Sequence, residues 1–323
     1  MKISWKTVAG AALALSLVST SAMSQSREFF GIATGGTGGT YYPLGGMLAQ
    51  LISNKATING KKVSATAESA GASVANAKLL ANDDIESAFV AADILDAAYN
   101  GRAQFEGNAL PQLRALAALY PETVQLITRA DSGINSIADL KGKSISSGSP
   151  GSGQYQLLTD LLEISGLSRS DVSEDSSSFT QAVDKIKDGN LDATLITAGV
   201  PTAAVTDFAQ AHDLKVVPIA GALVEKLRET QPYYAKVTLP ANTYKGQTEP
   251  VDTIAVLAVW ATNENLSDDA AYEVTKALFE NLDTMGKVHV QGKNITTDTA
   301  LEVGSVPVHP GALRYFKEKG LVK

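Results

Sequence analysis

Short β-prone runs alternate with amphipathic helical stripes along most of the chain. Phe29–Ala33 reads as a strand. Leu44, Met47, Leu48, Leu51 and Ile52 then recur at offsets of 3, 4, 7 and 8, which is one face of a helix with Pro43 in its first turn. Val63–Ala67 and Ile85–Val90 are strand-like. Between them Val74, Ala77 and Leu80 keep a helical period, and a second helical stretch runs to about Tyr99. Leu113–Tyr120 and Thr123–Thr128 predict two strands, and Ser144–Ser147 a short one. Leu157, Leu158, Leu161 and Leu162 stripe the next helix, and Phe179–Lys187 forms another that stops at Gly189. Leu191–Thr197, Leu214–Pro218 and Thr253–Trp260 are further strands, with Val205 and Phe208 on an intervening helix. Asp268–Met285 predicts the longest helix and Gly311–Lys319 the last. The polar stretch Leu167–Ser178 reads as a surface loop.

Strands that alternate with helices imply mostly parallel sheets with helices on both faces, an α/β fold. No repeat, low-complexity tract or Pro/Gly-rich linker divides the chain. At 323 residues it lies at the size where single cores split, so two lobes are expected. The chain would then cross between lobes inside structured segments, best at Tyr120–Val124 and Glu249–Thr253. Residues 27–122 plus 253–323 form the first expected lobe and 123–250 the second.

The N-terminus departs from this pattern. Lys2 and Lys6 precede an apolar run from Val8 to Val18, and Ala22-Met23-Ser24 fits small-x-small cleavage. Residues 1–24 are therefore expected to be a signal peptide, giving an exported protein in a bacterial periplasm. Removing Lys2 and Lys6 leaves 25 basic against 34 acidic residues, a net charge of −9 instead of −7. No basic patch suggests nucleic acid. The absence of cysteine excludes disulfides, cysteine–zinc sites, iron–sulfur clusters and thiol catalysis. Apolar residues at 44% and charged residues at 19% exclude a disordered chain.

Four strand–polar loop–helix junctions carry the candidate chemistry. They are Thr34–Pro43, with four glycines, Glu68–Ser73, Gly148–Gln154 and Thr197–Pro201. Each sets glycines and small hydroxyls before a helix, whose first N–H groups lack partners and whose end carries partial positive charge. Such a junction can hold an anion, and in open α/β sheets these loops line the crevice at the strand carboxyl ends. A plain helix cap is the simpler reading of the second and fourth loops; four glycines in the first exceed what a cap needs. The loops hold no Lys or Arg, and neither the P-loop nor the dinucleotide fingerprint is present, so a carboxylate fits better than a phosphate. Glu68, the one acid in the four loops, either accepts an ammonium group or is an exposed strand-end acid. Tyr41 and Tyr42 offer a phenolic donor and an apolar wall, with at least one packed in the core.

Enzyme signatures are missing. His212, His289 and His309 fall on no metal-ligand spacing, HExxH is absent, and no serine sits in a nucleophile elbow. Glu86, Asp93 and Asp96 read as part of a strand and an ordinary solvated helix. No catalytic residue, metal or cofactor is expected.

The ordered set of motifs resembles the TAXI family, the solute receptors of one class of TRAP transporters. The likeness runs from Thr34-Gly35-Gly36-Thr37-Gly38-Gly39-Thr40-Tyr41-Tyr42-Pro43 through Glu68-Ser69-Ala70-Gly71-Ala72-Ser73 and Leu119-Tyr120-Pro121-Glu122. It continues in Ser149-Pro150-Gly151-Ser152-Gly153 and Asp188-Gly189-Asn190-Leu191-Asp192 to Val308-His309-Pro310-Gly311. The resemblance implies a type II-like periplasmic binding protein whose two lobes close on a small organic acid such as glutamate or 2-oxoglutarate. Its partner would be a fused, sodium-driven TRAP permease, and the receptor itself a monomer; a sensor module for a membrane signalling protein is the alternative. Carried over, the site residues are Gly36, Thr37, Thr40, Tyr41, Glu68, Ser69, Ser149, Gly151 and Ser152, with Thr197, Ala198 and Gly199. Ala91 stands where many relatives carry a glutamine.

Overall fold

The computed structural model describes residues 27–322; the expected signal peptide, 1–24, lies outside the described residues. The strands are β1 (Glu28–Ala33), β2 (Thr57–Ile58), β3 (Lys61–Glu68), β4 (Ser87–Ala91), β5 (Leu113–Arg129), β6 (Ser144–Ser146), β7 (Ser173–Asp175), β8 (Ala193–Ala198), β9 (Leu214–Val217), β10 (Ala235–Leu239) and β11 (Val251–Asn263). The helices are α1 (Tyr41–Lys55), α2 (Ser73–Ala81), α3 (Ala92–Asn100), α4 (Gln154–Ile164), α5 (Phe179–Lys187), α6 (Ala203–Ala211), α7 (Ala222–Thr230), α8 (Asp268–Phe279), α9 (Leu282–Met285) and α10 (Pro310–Glu318).

The strands form one mixed, curled sheet in the order β2-β3-β1-β4-β11-β5-β8-β6-β7, with β10 added to β11 and β9 to β5. β1 runs parallel to β3 and β4, and β6 runs parallel to β7 and β8. The long central strands are antiparallel to each other, and each is antiparallel to its outer neighbour, β11 to β4 and β5 to β8. The consequence is geometric. β4 ends at Ala91, opposite Ala258 of β11, whose neighbour Leu257 faces Pro121. β8 arrives from the other side and ends at Ala198, opposite Thr123. The carboxyl ends of two strand groups thus point at each other across Pro121–Thr123.

β5 is a single strand of 17 residues where two were expected. It is buried along nearly its whole length, as a strand covered on both faces must be. Pro121 does not break it, because it sits beside an irregularity in the pairing between Leu257 and Val259, where a missing N–H is tolerated. At Thr123 the strand changes partners, pairing with both Ala255 and Ala198.

Two other expectations need correction. The helix expected over 268–285 stops at Phe279 and restarts at Leu282. Asn281 lies between the two and donates its side-chain amide to the Ala277 carbonyl at 2.9 Å, a local bond that competes with helix propagation. The stretch 167–178 is not all loop. Ser173–Asp175 forms β7 against β6, an edge strand without the apolar alternation that would reveal it.

Burial follows the helical stripes. Leu44, Leu48, Leu51 and Ile52 of α1 pack with Ala271, Val274 and Leu278 of α8 and with Trp260. Leu157, Leu158, Leu161 and Leu162 of α4 share a core with Ile94 and Leu95 of α3. Val183, Ile186, Val205 and Phe208 hold α5 and α6 on β8 and β9. These contacts fix where each helix begins, and the helix beginnings shape the site.

Candidate functional site

A cavity of about 430 Å³ lies where the strand ends converge. All four glycine–hydroxyl junctions reach it. Gly36, Thr37, Thr40 and Tyr41 line it from the first, Ser69 from the second, Ser149 and Ser152 from the third, and Thr197 and Ala198 from the fourth. Asp93 and Ile94 at the start of α3, Glu122 of β5, Ser178–Gln181 at the start of α5, and Tyr234 complete the wall.

Three expected site residues do not line it. Glu68 is exposed at the end of β3, and its backbone carbonyl accepts from the Thr34 amide at 2.8 Å and the Thr34 hydroxyl at 2.7 Å. It therefore fits the strand-end reading. The Gly151 carbonyl is turned toward α2, accepting from the Val74 and Ala75 amides at 2.9 and 3.0 Å. This changes the role of the second junction. The first amides of α2 are satisfied by the third junction, so they are not free for an anion. The Gly199 carbonyl accepts the Thr40 and Thr202 hydroxyls, each at 3.0 Å, tying the first junction to the fourth.

Close approach explains two of the glycines. Gly151 has φ +89°, and a Cβ there would lie 3.0 Å from the Ala75 Cβ and 3.2 Å from the Gly71 carbonyl. A Cβ at Gly71 would meet the Ala75 Cβ at 2.9 Å and the Pro150 carbonyl at 3.2 Å. The second and third junctions thus pack backbone to backbone, which only glycine permits. On the opposite rim the Gly38 carbonyl accepts from the Ala204 amide at 3.1 Å, so the first junction rests on the start of α6.

Three helices start at the cavity without a side-chain cap: α1 at Tyr41, α3 beside Asp93 and α4 at Gln154, all with residues on its wall. Thr197 adds a buried hydroxyl with no hydrogen-bond partner among the described residues. Buried polar atoms are rarely left unpaired, so an orphan in a cavity wall points to a group that enters it.

Tyr41 is buried, edge-on to Phe89 with ring centroids 5.5 Å apart, while Tyr42 is exposed. The Tyr41 hydroxyl donates to Glu122 Oε2 at 2.9 Å. Glu122 is only 3% exposed. Burial pushes its carboxyl well above the ordinary range, and the nearby charge of Asp93 pushes it further, while the Tyr41 bond opposes both. Asp93 follows the same pattern more weakly: burial raises its carboxyl, while the Tyr234 hydroxyl, donating at 2.7 Å, and backbone amides of α3 hold it down. Asp93 Oδ1 is shut off from solvent without a partner among the described residues. Among the described residues, no Lys, Arg or His lines the cavity.

Sequence patterning missed this acidic pair. Asp93 reads as one acid of a solvated helix, yet α3 packs its first turn against β4 and the cavity. Glu122 had a usable signal, a lone acid inside the apolar run Leu113–Thr128. Tyr234 had none, because it lies far along the chain and reaches the site only through the fold. Among the described residues no group of three or more His, Asp or Glu is placed to hold a metal ion, and no helix is long and apolar enough to cross a membrane.

A profile of the NMT1-like family matches residues 32–320, and the chain belongs to that family. Its fold is similar to two solved structures. One is the periplasmic aliphatic sulphonate binding protein SsuA of Escherichia coli, at a TM-score of 0.51 and 16% identity, covering 90% of this chain and 79% of that one. The other is a protein of Bordetella bronchiseptica RB50, at a TM-score of 0.56 and 16% identity, covering 91% of this chain and 98% of that one. The α/β architecture expected from the strand–helix alternation is therefore shared with these two structures.

Proposed function

We propose that this member of the NMT1-like family is a periplasmic solute-binding receptor that captures a small organic acid and delivers it to a membrane permease. The observation that carries this reading is the cavity at the junction of the two opposed strand groups, where four glycine–hydroxyl loops and the uncapped starts of α1, α3 and α4 meet. Free N–H groups at helix starts and unpaired hydroxyls suit a carboxylate. The SsuA neighbour is named for binding a sulphonate, also an anionic group. The signal-peptide pattern supports export.

Residues 27–122 with 253–323 would form one lobe and 123–250 the other, hinged where β5 changes partners at Thr123. Lobe closure would bring the first and second junctions onto the fourth and third. Gly36, Thr37, Thr40, Tyr41, Ser69, Ser149, Ser152, Thr197 and Ala198 are the proposed ligand shell. Motif likeness to TAXI receptors supports a TRAP permease as recipient and glutamate, 2-oxoglutarate or a related acid as cargo. A protein of net charge −9 repels anions at long range, so these local donors must win at contact.

The test is thermal unfolding of refolded, ligand-stripped protein against amino acids, 2-oxo acids and dicarboxylates. A ligand at about 100 times its dissociation constant adds about 2.7 kcal/mol, a melting shift of several degrees. A panel that produces no shift defeats the receptor reading.

A further inference from the structure

The cavity has two chemically distinct walls. One is built from hydroxyls, backbone amides and helix starts, and it offers donors. The other is Asp93 and Glu122, and it offers acceptors. Each acid sits on a rigid element: Asp93 on the first turn of α3, Glu122 in the middle of β5.

Every group that reaches these two carboxyls within the described residues donates to them. Tyr41 donates to Glu122 at 2.9 Å and Tyr234 to Asp93 at 2.7 Å. The start of α3 also favours negative charge on Asp93. Hydrogen-bond donors aimed at a carboxyl favour its ionised, accepting form. What the pair lacks, among the described residues, is a counter-charge: the cavity lining holds no Lys, Arg or His, and Asp93 Oδ1 has no hydrogen-bond partner. Ionising both carboxyls in this buried setting is costly unless a cation joins them.

We propose that the ligand is a zwitterion, an α-amino acid, whose ammonium group sits between Asp93 and Glu122 while its carboxylate is held by the glycine–hydroxyl junctions. Asp93 thus takes the role that sequence reading offered to Glu68. The inference rests on the receptor reading above and deepens it by selecting amino acids over 2-oxo acids and dicarboxylates. Tyr41 and Tyr234 are positioning residues that aim the two carboxyls.

The test is calorimetric titration of the refolded full chain with matched pairs: L-glutamate against 2-oxoglutarate, L-alanine against pyruvate, and L-leucine against 4-methyl-2-oxopentanoate. These pairs differ only in ammonium for ketone. At least one amino acid is expected to bind about tenfold or more tighter than its partner, the scale of a hydrogen bond to a charged group. Asp93→Asn should erase that preference by weakening the amino acid and leaving any residual 2-oxo acid binding within about twofold. Glu122→Gln should act in the same direction, and the wild-type preference is readable without any variant. A 2-oxo acid that binds as tightly as its amino acid partner overturns the ammonium site and leaves the receptor reading intact. Equal loss of both classes in Asp93→Asn also overturns it. If no acid of either class binds, the receptor reading itself fails.

Discussion

Glu122→Gln should make the ligand-free protein more stable, and increasingly so as pH rises. Glu122 is buried on β5 at 3% exposure, held by Tyr41, with Tyr120 on its own strand and Asp93 on α3 nearby. Burial lifts its folded-state titration well above that of the unfolded chain. The folded state therefore holds a proton that the unfolded state gives up. A group raised in this way contributes fully below the unfolded value, near pH 4.5, and its contribution is lost as pH rises toward the folded value. Through that window stability falls by about 1.4 kcal/mol per pH unit. Glutamine keeps the shape and can still accept from Tyr41, but it does not titrate. Between pH 5.5 and 7.0 the advantage of the variant should grow, with a ceiling of about 2 kcal/mol set by that slope, or at about 2 °C per kcal/mol for a chain of this size, about 4 °C in melting temperature. Urea unfolding of refolded, ligand-free protein at several pH values between these limits measures it. Parallel curves for wild type and variant would show that folded Glu122 is already ionised, and the argument from burial would fall.

Four other outcomes follow from the same geometry. Thr197→Val removes an orphan hydroxyl from the cavity wall, so ligand affinity should fall by about 1 kcal/mol or more while the melting temperature holds; titration alongside a melt separates the two. Gly71→Val drives a side chain into Ala75 and the Pro150 carbonyl, so it should weaken binding by holding the second and third junctions apart, seen as a larger radius in small-angle scattering. Asn76→Ala deletes donors to the Thr34 and Phe89 carbonyls, both at 2.8 Å and buried, and should cost about 1–3 kcal/mol in urea unfolding. His309 caps α10 by accepting from the Gly311 amide at 3.2 Å, and burial holds it below the ordinary histidine value. Its contribution is present above about pH 6.5 and lost as pH falls through the folded value, so an NMR titration should find the ring more than half neutral at pH 6.5, and His309→Gln should flatten the acid limb of stability.

The fold was legible where patterning is strong. α1 and α4 announce themselves through their leucine stripes, and the buried central strand through its apolar run. β7 and β10 were missed because strands of three and five residues with mostly exposed side chains carry little periodic signal. The break at Glu280-Asn281 hides because local side-chain bonding, not hydrophobic period, ends the helix. At the site, nine of the twelve expected residues lie on the cavity wall, since a glycine–hydroxyl loop at a strand end is a property of local sequence. The acids were not legible as a pair. Asp93 and Glu122 lie on different strand–helix units, and only the antiparallel crossing of β5 and β11 brings them together.

That crossing also accounts for why the cavity combines donors and acceptors. In a sheet of parallel strands all carboxyl ends point one way, and their helix starts collect positive potential on one rim. Here two groups of strands point at each other, so donor-bearing junctions close from both sides and the floor between them is strand, not helix. A strand floor has no free amides to offer, because β5 spends its backbone on β11 and β8. Its contribution to the site must come from a side chain, and at Glu122 that side chain is an acid. The stability lost by burying Glu122 in the empty protein is then the differential that a cationic group recovers on entry. An ordinary glutamine floor would fold better and discriminate less between an amino acid and its 2-oxo counterpart. Stability and selectivity are thus predicted to move in opposite directions at this one position, and the unfolding and titration series on Glu122→Gln test both halves of that trade on the same sample.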